Sequence, residues 1–106
     1  MNETEKNIKK FAQMIENEIG IKVFQSFESR YGGWCNFYFN ELYSDDMIKL
    51  GNFINKHFST PGAFTERCLR LVVSPENRLS LVVIAQRLND FMKNGKITDI
   101  RCYPTS

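Results

Sequence analysis

Between Trp34 and Asn40 the chain alternates strictly. Cys35, Phe37 and Phe39 fall on one side of an extended segment, and Trp34, Asn36, Tyr38 and Asn40 on the other. Successive side chains of a strand point to opposite faces, so this pattern predicts a sheet with a core on one face only. The second face is aromatic and polar together, which suits a binding surface better than a buried layer.

The remaining pattern predicts helices around that sheet. Ile8, Phe11, Ala12, Ile15 and Ile19 form one stripe, predicting a helix from about Thr4 to Ile19, with Asn2 or Thr4 as cap and Gly20 as a left-handed exit. Ile21 to Phe27 reads as a strand, and Gly32-Gly33 punctuates the turn into the alternating strand, which runs to about Leu42. Ser44-Asp45-Asp46 opens a second helix, with Ser44 as cap and Met47, Leu50, Ile54 and Phe58 as its buried stripe. Arg67 to Val73 predicts a third strand. Ser74-Pro75-Glu76 then reads as a helix start, and Leu81, Ile84, Ala85, Leu88, Phe91 and Met92 as the stripe of a third helix ending at Asn94-Gly95. Leu79–Ala85 as a strand paired with Leu69–Val73 competes with that helix, and the cap and the spacing through Met92 favour the helix. Lys96 to Tyr103 predicts the last strand, stopped by Pro104.

The order α-β-β-α-β-α-β, in one domain over residues 1–106, predicts an α+β fold. Its form is a two-layer α/β sandwich, with a four-stranded mixed sheet and three helices on one face. Parity along the strands then gives the open face: Lys22, Phe24 and Ser26; Trp34, Asn36, Tyr38 and Asn40; Arg70; Asp99, Arg101 and Tyr103. Large rigid rings beside guanidinium groups and amides are what a specific interface uses. Trp34, Tyr38, Arg70, Arg101 and Tyr103 are the expected contacts. The bland alternative is an ordinary solvated sheet face, or one closed by a loop or a second copy.

Composition narrows the function classes. A chain of 106 residues with 42% hydrophobic and 25% charged residues has an ordinary globular composition, and its net charge of +2 argues against a polybasic nucleic-acid binder and an acidic nucleic-acid mimic alike. The polar start, Met1 to Lys6, does not read as a secretory signal, and the longest apolar run, Leu81 to Ala85, is too short to span a bilayer. Cys35, Cys68 and Cys102 are odd in number and widely spaced, which predicts buried thiols in a reducing compartment.

Catalytic chemistry finds little support. His57 is the one histidine, and its expected role is a favourable charge at the carboxyl end of its helix. A cysteine–His57 pair would make a thiol enzyme, which stands as a third reading. The cysteines and His57 lack the close spacing of a structural zinc site. Asp45-Asp46 lies at a helix start, where capping is the expected role, and no Gly-Lys-Ser/Thr follows Gly32-Gly33 to make a phosphate loop. No metal and no cofactor are expected.

The sequence therefore predicts a small cytoplasmic, non-enzymatic protein that binds another protein as an inhibitor. Its concrete forms are an immunity protein neutralising a bacterial toxin and a phage-encoded inhibitor. The alternative is an RNA-binding module using the same aromatic and arginine face. No membrane is implicated, and a homodimer is a further arrangement compatible with the sequence.

Overall fold

The side-chain oxygen of Asn2 accepts the Glu5 N–H at 2.8 Å and so opens α1 (Glu3–Ile19). The helix ends where Gly20, at φ 83°, donates its N–H to the Glu16 carbonyl at 2.7 Å. This left-handed exit costs glycine little. The computed structural model of the protein describes residues 2–29, 33–59, 66–70, 78–98 and 100–104. The buried stripe of α1 is the expected one with Asn7 added. Burying an amide needs partners. Asn7 Nδ2 donates to Asn89 Oδ1 at 2.8 Å, and Asn89 Nδ2 donates to Thr4 Oγ1 at 3.2 Å.

Strands β1 (Val23–Glu28) and β2 (Trp34–Phe39) pair antiparallel, with Val23 opposite Phe39 and Glu28 opposite Trp34. Gly33 precedes β2 at φ 83°, and a Cβ there would sit 2.9 Å from the Phe27 ring. The backbone angle favours glycine, and a side chain there would also have to displace the Phe27 ring. Helix α2 (Ser44–His57) is capped by Tyr43 rather than by Ser44. The Tyr43 N–H donates to Asp46 Oδ2 at 3.1 Å, so the third helical position supplies the terminal bond.

The chain departs most from its pattern after α2. Residues 66–70 are helical (α3), not part of a third strand. The Glu66–Arg70 ion pair at 2.6 Å spans one turn of that helix. The rest of the expected strand, Leu71 to Val73, and the helix start at Ser74-Pro75-Glu76 lie outside the described residues. The third strand is β3 (Leu79–Ile84), and α4 (Ala85–Asn94) follows it directly. The expected single helix is thus half strand. The run Leu81-Val82-Val83-Ile84 is β-branched at three positions, and such residues favour the pleated surface. β4 (Arg101–Pro104) is shorter than expected, and it includes Pro104, which pairs with Leu79.

The sheet order is β1-β2-β3-β4, and every pair is antiparallel, so the sheet is not mixed. The fold is α+β, and the element order becomes α-β-β-α-α-β-α-β. The core lies against the face bearing Val23, Cys35, Phe37, Phe39, Leu79, Leu81, Val83 and Cys102, all buried. Phe11 of α1 is fully buried at its centre. Its ring lies 5.0 Å from Phe37, 5.7 Å from Phe53, 6.3 Å from Phe58 and 5.6 Å from Phe91, between centroids. A short parallel bridge between Phe58 and Ile97 ties the end of α2 to the segment before β4. There Ile97 N–H donates to the His57 carbonyl and Lys96 Nζ to the Lys56 carbonyl.

Truncating the central ring removes contacts to four neighbours at once. Phe11→Ala is expected to lower stability by about 3–5 kcal/mol, measured as a reduced urea midpoint.

Candidate functional site

The pairing register assembles the second face of the sheet row by row. Phe24, Tyr38, Ser80 and Tyr103 form one row across all four strands. Ser26, Asn36, Val82 and Arg101 form the next, and Glu28, Trp34 and Ile84 the third. Phe24 is 46% exposed and Tyr103 40%, while Trp34, Asn36, Tyr38, Val82 and Ile84 are half-buried. Ser80 is buried between its neighbours, with its hydroxyl donating to the Tyr103 carbonyl at 3.4 Å. Among the described residues the result is a face with exposed edge strands and a half-buried centre, with an aromatic row at one end and Trp34 at the other.

Each ring nearest the edge of this face carries a cation. Lys22 Nζ lies 5.5 Å from the Phe24 ring centroid, the Arg67 guanidinium 6.0 Å from Tyr103, and the Arg101 guanidinium 5.6 Å from Trp34. Arg101 is on β4 and Trp34 on β2, so the arginine side chain lies across β3, spanning two strand spacings of about 4.8 Å each. Such contacts hold a charge over the electron-rich ring face without neutralising it. Among the described residues none of the three cations is ion-paired. Glu28 is the one acid that the strand register puts on this face.

The structure brings together four of the five expected contacts: Trp34, Tyr38, Arg101 and Tyr103. Arg70 is not on the sheet. It is exposed on α3 and bound to Glu66, because its segment is helical. Arg67, one turn earlier, is the α3 arginine that reaches the face. Asp99, also assigned to this face by parity, lies outside the described residues. Ser80, Val82 and Ile84 were hidden from sequence reasoning because β3 reads as helix there.

The thiols behave differently from the expectation. Cys68 of α3 and Cys102 of β4 form a disulfide, with their Cα atoms 6.0 Å apart across 34 residues of sequence. Only Cys35 is a free thiol among the described residues. Burial raises its pKa to about 11, so it is protonated and poorly nucleophilic at neutral pH. His57 packs against Phe53 and Phe91, with ring centroids 4.5 and 5.6 Å away. Its pKa is lowered from 6.5, first by burial, then by the neighbouring Lys56 charge and by Lys96, against an opposing pull from Glu18. The lowered pKa makes His57 a weaker positive charge at the end of α2 than expected. Lys96 takes that place by donating to the Lys56 carbonyl.

Among the described residues, no three His, Cys, Asp or Glu side chains cluster to hold a metal ion. No helix there is long and apolar enough to cross a membrane. Comparison with family models, with curated proteins and with solved structures finds no match to this chain.

Two outcomes follow from these groups. Iodoacetamide at neutral pH should leave Cys35 unlabelled in the native protein and label it after denaturation, as read by mass spectrometry. His57 has a folded pKa below its unfolded value, so the unfolded state binds the proton more readily. Stability should therefore fall as pH drops from about 7.5 through 6.5 and below, and His57→Gln should flatten that slope in urea titrations.

Proposed function

We infer that this protein is a small, non-enzymatic protein-binding inhibitor that docks its partner on the open face of its sheet. The observation that supports this best is the juxtaposition of Phe24, Tyr38 and Tyr103 in one row, exposed at its two ends and half-buried at Tyr38, with cations held over Phe24, Tyr103 and Trp34. Rings give large contact area at low entropic cost, and unneutralised guanidinium groups give directional bonds to carboxylates. The face thus suits a protein surface that is apolar at its centre and acidic at its margin. An immunity protein neutralising a bacterial toxin and a phage-encoded inhibitor are the concrete forms of this reading. Inhibition would follow from occlusion of the partner's active or assembly surface.

A cytoplasmic location belongs to the same reading. There the Cys68–Cys102 pair would be kept largely reduced, and α3 would rest on its packing and on Arg67. The second reading, an RNA-binding module, draws on the same cation–ring pairs, since guanidinium groups and aromatic rings also stack bases.

A pull-down of the tagged protein, with and without nuclease and at low and high salt, separates the two. Recovery of one near-stoichiometric protein after both treatments supports the inhibitor. RNA-dependent, salt-labile recovery supports the alternative. With the captured protein in hand, Trp34→Ala or Tyr38→Ala should weaken binding by roughly 2 kcal/mol or more while leaving the circular dichroism spectrum unchanged. Unchanged affinity in both variants would remove this face from the interface.

A further inference from the structure

Among the described residues β1 is an edge strand, and one hydrogen bond fixes which of its backbone groups face outward. The Val23 N–H turns away from β2 and donates to Glu16 Oε1 at 2.8 Å. Backbone groups alternate along an antiparallel strand. Gln25 and Phe27 therefore present their N–H and C=O groups on that same outer side, while Phe24, Ser26 and Glu28 bond to β2. Glu16 caps the outer edge at Val23 alone. Gln25 and Phe27 are both exposed. The strand carries an exposed ring on each face, Phe24 at 46% and Phe27 at 41%. It has no proline and no bulge, and its pairing with β2 is unbroken over six residues. Soluble proteins normally blunt such an edge.

We propose that β1 pairs antiparallel with β1 of a second copy of this chain, with Gln25 opposite the partner subunit's Phe27 and the two Ser26 residues on the twofold axis. This register uses the two outward-facing residues that Glu16 leaves free, and it closes four backbone hydrogen bonds. Residues that oppose one another lie on matching faces, so the two sheets join into one of eight strands with their open faces on the same side. Charge selects a second copy as the occupant. In this register Glu28 lies opposite the partner subunit's Phe24, the ring over which Lys22 sits at 5.5 Å. Two symmetric Lys22–Glu28 pairs result, and among the described residues neither side chain is ion-paired within its own chain.

Sedimentation equilibrium on the full chain, combined with amide hydrogen exchange, tests this. The expected result is a dimer below about 100 μM, with slow exchange at Gln25 and Phe27. Gln25→Pro removes only an outward N–H, which an edge strand tolerates, and should give a monomer whose helix and sheet content is unchanged. Phe27→Lys should act the same way through charge at the edge. Glu28→Lys should weaken the dimer about three- to tenfold, and Lys22→Glu/Glu28→Lys should restore it. The Val23 amide should stay slow throughout, because Glu16 holds it. A wild-type monomer at all concentrations overturns the proposal. So does a dimer that persists in folded Gln25→Pro or Phe27→Lys, or one indifferent to the charge exchange.

Discussion

The burial of one ring, Phe11, sets the arrangement of everything around it. It lies on α1 and meets the sheet through Phe37, α2 through Phe53, the residue closing α2 through Phe58, and α4 through Phe91. Edge-to-face ring contacts are directional, so the hub fixes orientation as well as proximity. Elements that all contact one ring are drawn to one side of the sheet. Among the described residues no helix packs over the opposite side, whose central side chains are half-buried rather than part of the core.

What lies on that uncovered side differs in kind from the core. Charges there rest on rings rather than on carboxylates, so they remain available to an incoming group while being held in place. The buried chemistry is quiet by contrast. Burial raises the pKa of the Cys35 thiol, and the pKa of half-buried His57, packed on Phe53 and Phe91, is lowered.

The sequence made much of this legible where a single period dominates. The stripe of α1 and the alternation of β2 are unambiguous because each has one buried side. Parity alone therefore placed Trp34, Tyr38, Arg101 and Tyr103 on one face. β3 was illegible because it is apolar on both sides: Leu81 and Val83 are buried in the core while Val82 and Ile84 are half-buried on the open face. A short doubly apolar run carries no period, and Leu81, Ile84 and Leu88 happen to fit a helical stripe as well. Arg70 was misplaced because the alternation of Arg67 to Val73 is also compatible with a turn of helix, which the Cys68–Cys102 link and the Glu66–Arg70 pair favour. Proximity between residues 34 apart in sequence leaves no local trace.

The bond between Asn7 and Asn89 joins residues separated by 82 positions, and the Phe11–Phe91 contact closes a similar span. This has a consequence for how the chain is made. During synthesis α1 is made before α4, so its apolar stripe has no complete seat until α4 has followed it. Contacts of such long range are closed late and against a large loss of chain entropy. Phe37, Phe53 and Phe58 can meet Phe11 before α4 is made, whereas the Phe91 and Asn89 contacts that complete its surroundings close only once α4 has emerged.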